Sequence, residues 1–188
     1  DFDLAIESLA AVEESAKSPY LKAQYMLGVI YTRLNQAQPA LDSFKNILRY
    51  QRDIGDDDEV NDMAQRAILA LGRVFYTAQQ FDTAARYYDR ITQKDSGWLD
   101  SLFEISWAYY QLGKPERALG NLHTLNSPYF VNSYHPEALI LEAVLLHSHC
   151  HFKRALETIK RFNASYEPLR DELALQLKQT SDPDAFYR

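Results

Sequence analysis

Apolar residues recur every three or four positions along most of the chain, and this spacing predicts amphipathic helices. The pattern is clearest from Leu99 to Leu125. Gly113 interrupts it, and Pro115 follows at a place where the first turn of a helix tolerates proline. A second amphipathic run then continues to Leu125. This segment therefore predicts two antiparallel helices joined by a tight turn.

The same two-helix pattern occurs three times. Each copy has a small residue in its first helix, an alanine twelve positions later and a large residue four positions after that. Such pairing lets two helix backbones approach closely while large side chains fill the space around the crossing. The three sets are Gly28, Ala40 and Phe44; Gly72, Ala84 and Tyr88; and Ser106, Ala118 and Leu122.

The second and third sets are 34 residues apart. This period and this pattern of small and large residues resemble the tetratricopeptide repeat (TPR). The resemblance implies an all-α fold, a right-handed superhelical solenoid of antiparallel helix hairpins. We expect one array over 1–188. Its parts are the second helix of a truncated repeat (2–17), four repeats (21–54, 65–98, 99–132 and 136–169) and a terminal helix (169–180). The half-repeats at both ends favour either a segment of a longer solenoid or a solenoid with single capping helices.

An acidic insert separates the first two sets, because Gly28 and Gly72 are ten residues further apart than the period requires. The surplus falls around residues 52–61 and is rich in aspartate. A calcium loop is one interpretation, but the positions of its glycine and glutamate do not fit an EF-hand. The interpretation we favour is an acidic helix start, which the positive end of the helix dipole stabilises.

Composition and charge exclude several classes of function. The net charge of −6 leaves no basic stripe for nucleic acid or for an anionic membrane surface. No apolar run is long enough to span a membrane. Phosphate-binding, dinucleotide-binding and hydrolase motifs are missing, so we expect no enzyme activity and no cofactor. Cys150 is the only cysteine, which excludes an internal disulfide.

The sharpest candidate for metal chemistry is the run from His147 to His151, which contains three histidines and Cys150. The repeat pattern places this run across a turn between two helices. His147 and His151 therefore do not share a helix face, and no second ligand pair occurs elsewhere. We expect a histidine-rich turn and no metal.

A partner-binding surface remains. In TPR solenoids the first helix of each repeat lines the concave side, and the resemblance carries this role to aromatic and arginine positions, which are enriched at interaction hot spots. We expect a protein or peptide partner there; for Trp107, a groove position and a buried core position are equally open interpretations. Glu104 and Glu142 are also candidates to face this groove, either solvated or paired. The predicted partner-binding residues are Tyr25, Arg33, Arg73, Tyr76, Phe103, Trp107, Tyr110 and His147.

Two further features bear on the kind of partner. The lysine and asparagine clamp of chaperone-binding TPR proteins is not matched, because Tyr25 and Val29 occupy two of its positions. Residues 102–163 also resemble TPR proteins of bacterial cell envelopes, including those of adventurous gliding machinery. That resemblance implies a scaffold in the periplasm or at the outer membrane. The alternatives are assembly through the loop over 127–136 or through an end face of the array, and a regulatory or substrate-recognition domain of a larger enzyme.

Overall fold

A computed structural model describes residues 1–55, 57–130 and 133–179 of the chain. In these ranges the chain forms helices joined by short turns, and none of these residues lies in a strand. The all-α fold class predicted from the sequence is confirmed. The helices are α1 (Phe2–Ala10), α2 (Ser18–Arg33), α3 (Ala37–Ile54), α4 (Asp58–Thr77), α5 (Phe81–Tyr88), α6 (Trp98–Gln111), α7 (Pro115–Leu125), α8 (Pro136–Ser148) and α9 (Phe152–Gln179).

The chain divides into two compact units, Asp1–Asn121 and Leu122–Arg188. The first unit holds α1 to α6 and the start of α7, and the second holds the end of α7 together with α8 and α9. Both tryptophans, Trp98 and Trp107, lie in the first unit, whereas Cys150 lies in the second.

Close helix crossings organise the first unit. A methyl group added to Gly28 would come within 2.5 Å of the Phe44 ring, and one added to Gly72 would collide with the Tyr88 ring. Three alanines of the pattern have no exposed surface; they are Ala40, Ala84 and Ala118. The predicted pairing of small and large residues is therefore confirmed as the contact between paired helices.

The core of the first unit follows from these crossings. Phe44 and Ile47 of α3 are almost fully buried against α2 and α4, together with Leu21 and Leu71. Each such side chain contributes roughly 1.5–3 kcal/mol through the apolar surface that it removes from water. Packing of the apolar helix faces, more than helix propensity, therefore holds these helices in place.

Each helix hairpin ends its first helix in the same way. One residue of each turn has a positive φ angle; these residues are Asn35 (57°), Gln79 (59°), Gly113 (64°) and Cys150 (62°).

 The amide after each of these residues donates to a carbonyl five residues back, as from Gln36 to Tyr31 at 2.8 Å and from Lys114 to Tyr109 at 2.9 Å. This is the hydrogen bond of a Schellman motif, which satisfies a carbonyl of the last helical turn. The turn predicted at Gly113 is confirmed.

The acidic insert forms the start of α4. The Asp57 carboxylate accepts a hydrogen bond from the Val60 amide at 3.0 Å and caps the helix, and Asp58 and Glu59 follow in its first turn. The acidic helix start is therefore confirmed. Most of the surplus residues lengthen α3 and α4 instead of forming a loop. Asp56 lies outside the described residues.

The ends of the chain differ from the expectation. The helix predicted over 2–17 stops at Ala10, and Pro19 lies in the first turn of α2, where its missing N–H costs no hydrogen bond. The helix predicted separately over 169–180 is continuous with the preceding one, because α9 runs through Pro168. Good helix formers such as Glu167 and Leu169 flank this proline and carry the helix past the lost bond. Thr180 lies outside the described residues.

The length and hydropathy of the helices bear on whether the chain can span a membrane. None of the helices in the described ranges has both the length and the apolar character needed to cross a membrane. The assignment of four repeats to 21–54, 65–98, 99–132 and 136–169 stays a prediction.

Candidate functional site

A cavity of about 580 Å³ opens beside α4, α5 and α6 in the first unit. We call it the aromatic cavity. Because residues three or four apart share one face of a helix, α4 and α6 each present several side chains to it. It brings together four of the predicted partner-binding residues, namely Arg73, Tyr76, Phe103 and Trp107. Its full lining is Arg73, Tyr76, Thr77, Tyr88, Phe103, Glu104 and Trp107.

Aromatic contacts fix the walls of the aromatic cavity. The ring of Tyr76 packs edge-on against Phe81, with centroids 5.2 Å apart, and Trp107 packs edge-on against Tyr110 at 6.1 Å. Tyr76, Phe103 and Trp107 are all half-buried. Trp107 is therefore neither fully core nor fully exposed, and Tyr110 supports the cavity through it.

An ion pair closes one side of the aromatic cavity. Nε of Arg73 lies 3.0 Å from both carboxylate oxygens of Glu104, and Nη2 lies 2.5 Å from Oε1. This two-pronged geometry is the strong form of an arginine–carboxylate pair. The hydrogen bond to Glu104 raises the pKa of Arg73 above its ordinary value. Arg73, predicted as a partner-binding residue, is thus already held by the protein itself.

Tyr88 adds a third donor to Glu104. Its ring is buried against Gly72, and its hydroxyl is hydrogen-bonded to the Glu104 carboxylate. Burial, and then the charge of Glu104, raise the pKa of Tyr88 well above its ordinary value. From the repeat pattern, Tyr88 is expected only to fill space at the helix crossing. The available signal was its hydroxyl, which Phe44 and Leu122 lack at the equivalent positions.

Tyr25 lies in a second hollow of about 400 Å³, between α2 and α4. Its ring packs edge-on against Phe44 at 5.7 Å. Two ion pairs line this hollow: Lys22 Nζ lies 3.3 Å from Glu59, and Arg66 Nε lies 2.9 Å from Asp62.

Two predicted residues lie elsewhere. Arg33 is exposed in the last turn of α2 and lines neither hollow. His147 belongs to the second unit, where it borders an apolar cavity of about 410 Å³ between α8 and α9. Its ring packs edge-on against Phe152 at 5.3 Å.

The histidine-rich run spans the end of α8 and the turn before α9, as the repeat pattern predicted. Cys150 is exposed there, and the His149 ring lies 2.8 Å from the carbonyl oxygen of Leu145. Within the described ranges, no three His, Cys, Asp or Glu side chains are grouped so that they can hold a metal ion.

The loop over 127–136 shows two strongly exposed tyrosines. Tyr129 is 92% exposed and Tyr134 is 74% exposed, whereas Phe130 is half-buried. Val131 and Asn132 lie outside the described residues. Near this loop Glu142 is paired with Arg161 at 3.0 Å, so both carboxylates that the sequence analysis singled out carry an arginine partner.

Comparison with known proteins defines the class of the fold. Residues 22–53 match the family model described as tetratricopeptide repeat. No curated protein matches the sequence significantly. The TPR resemblance is confirmed by the family match and by solved TPR structures of the same fold. The envelope and gliding-machinery resemblance stays a prediction.

Three solved structures illustrate the likeness. The chain is similar to MamA, with a TM-score of 0.72 and 15% identity over 91% of this chain and 92% of that chain. It is similar to BtubC from P. vanneervenii, with a TM-score of 0.71 and 13% identity over 89% and 72% of the two chains. It is also similar to YrrB, described as a TPR protein with an unusual peptide-binding site, with a TM-score of 0.65 and 19% identity over 95% and 86%. These identities establish the fold alone.

Proposed function

We propose that this protein is a non-catalytic scaffold that binds a peptide or a segment of a protein partner in the aromatic cavity. The observation that carries the proposal is the convergence of three half-buried aromatic residues on one cavity: Tyr76, Phe103 and Trp107. Tryptophan, tyrosine and arginine dominate the binding energy of many protein interfaces. The fold supports the same role, since TPR modules typically act through protein interactions.

The shape of the site suits an extended or helical ligand. The aromatic cavity and the hollow around Tyr25 both lie against α4, so a ligand that follows α4 can engage the two in turn. Such ligands gain affinity from side chains that enter successive pockets. YrrB, a protein of similar fold, has a peptide-binding site, which supports this use of the fold.

Partner capture with matched variants tests the proposal. Trp107→Ala should reduce the recovery of a partner from lysate of the source cells at least about tenfold, because it removes a central aromatic contact. Tyr129→Ala, which removes an exposed tyrosine from the second unit, should leave recovery unchanged. Tyr76→Ala serves as a second cavity variant, and circular dichroism shows that each variant is folded.

The opposite pattern would contradict the proposal. If Tyr129→Ala abolishes capture while both cavity variants retain it, assembly occurs through the loop over 127–136.

We further propose that the scaffold acts in the bacterial envelope, in the periplasm or at the outer membrane. The support is the likeness of residues 102–163 to envelope TPR proteins. Fractionation of the source cells should recover the natural protein with the envelope, and recovery with the cytoplasm would overturn this part of the proposal.

A further inference from the structure

Three of the helices that border the two hollows, α2, α4 and α6, neutralise most of their own positive charges. Together they carry four cationic side chains and five carboxylates. Three of the four cations form ion pairs with carboxylates of these helices: Lys22 with Glu59, Arg66 with Asp62, and Arg73 with Glu104. The fourth, Arg33, lies outside both hollows.

The Arg73–Glu104 pair differs from the other two in burial. Glu104 is only 18% exposed, whereas Glu59 is 56% exposed and Asp62 is 45% exposed. Exposed pairs exchange readily with water and contribute little. A shielded carboxylate is costly to leave without its partner. Arg73 therefore cannot turn to a ligand carboxylate without leaving Glu104 half-satisfied beside a second negative charge.

We propose that the aromatic cavity selects a bulky uncharged side chain, such as phenylalanine or leucine, within an uncharged peptide segment, and that Glu104 is the residue that excludes acidic segments. This inference rests on the proposed function and specifies its ligand. Tyr76, Phe103 and Trp107 supply the apolar contact surface. The guanidinium of Arg73 has five N–H donors, so after it binds Glu104, donors remain for a neutral main-chain carbonyl of the ligand.

The same geometry predicts the consequence of removing one charge. Glu104→Gln keeps the shape of the side chain and an oxygen that accepts from Tyr88, but it leaves the charge of Arg73 uncompensated. The variant should therefore admit an acidic segment that the natural protein rejects. Glu142→Gln is the matched control, because Glu142 is 15% exposed and paired with Arg161 in the second unit.

Two capped pentapeptides serve as probes, the neutral GSFSG and the acidic GDFDG, titrated against the full chain. In a Trp98→Phe background Trp107 is the only tryptophan, so its fluorescence reports occupancy of the aromatic cavity directly. Isothermal titration of the chain without that substitution gives the same comparison independently.

The expected result has three parts. The neutral peptide binds at least about tenfold more tightly than the acidic one. Its affinity stays within about twofold between roughly 50 mM and 500 mM salt, because no net charge is exchanged on binding. Glu104→Gln reduces the preference to below about threefold by strengthening binding of the acidic peptide, whereas Glu142→Gln leaves the preference intact.

The contrary results separate this inference from the proposed function. Equal or tighter binding of the acidic peptide by the natural chain, or a preference that Glu104→Gln leaves unchanged, would overturn the role of Glu104 and leave the cavity as the binding site. If neither peptide changes Trp107 fluorescence, or if Phe103→Ala binds both as the natural chain does, the cavity is not the binding site and both proposals fail.

Discussion

Tyr88 performs two tasks with one side chain. Its ring fills the space over Gly72 at the crossing of α4 and α5, and its hydroxyl holds Glu104 at the aromatic cavity. The position of Glu104, and through it that of Arg73, therefore depends on a packing contact in the core. Variants at the crossing should disturb both stability and the site, because close-packed interiors transmit small displacements.

Gly72→Ala tests the packing task. The added methyl group collides with the Tyr88 ring, so we expect the free energy of unfolding to fall by about 1–3 kcal/mol. The measurement is urea denaturation followed by circular dichroism. Gly120→Ala is the matched control: a methyl group there meets open space in α7, and we expect a gain of about 0.5–1 kcal/mol from the better helix former. Equal effects of the two substitutions would contradict the crossing.

The pH dependence of stability tests the environment of Tyr88. Its pKa is raised in the folded protein above the ordinary value of 10.0. The folded state therefore keeps a proton that the unfolded state loses, so this contribution is complete below about pH 10 and is lost as the pH rises above it. Tyr88→Phe should reduce the alkaline decline in the free energy of unfolding by up to about 1.4 kcal/mol per pH unit. An unchanged decline would show that Tyr88 does not hold its proton this tightly.

At the scale of the element, the helix hairpins share one turn geometry with different residues at its strained position. Glycine adopts a positive φ without a Cβ clash, and asparagine tolerates it well, but glutamine and cysteine carry a cost. Gln79 and Cys150 are therefore the two hairpin turns where backbone strain is stored.

Gln79→Gly should relieve that strain and raise the free energy of unfolding by about 0.5–1 kcal/mol. Gly113→Ala introduces the same strain into an equivalent turn and should lower it by about 1 kcal/mol. Thermal unfolding of the two variants in parallel gives both signs. A loss of stability in Gln79→Gly would mean that the glutamine side chain makes a contribution larger than its backbone cost.

The sequence was sufficient to predict the helices and their crossings, because periodicity and the Gly72–Tyr88 type of pairing are local patterns with a direct packing cause. The sequence was less informative where opposing effects decide whether a helix continues. At Pro168, the flanking helix formers outweigh one lost hydrogen bond, and α9 continues. The sequence also did not predict the Arg73–Glu104 pair. Periodicity shows that each residue faces a groove, but the contact joins residues 31 positions apart on different helices.

At the scale of the whole molecule, we expect the net charge to disfavour acidic ligands, as we expect of the pairing between Arg73 and Glu104. The net charge of −6 repels acidic segments before contact, and the paired cations offer them no fixed site after it. We therefore expect discrimination against acidic ligands to be largest at low ionic strength, where the long-range repulsion adds to the effect of Glu104.

The placement of rare residues gives each unit its own spectroscopic reporter. Both tryptophans belong to the first unit, and the only thiol, exposed at Cys150, belongs to the second. Tryptophan fluorescence therefore follows unfolding of the first unit, while a dye coupled to the thiol follows the second in the same sample. Coincident transitions would identify one cooperative folding unit, and separated transitions would give each half of the chain its own stability.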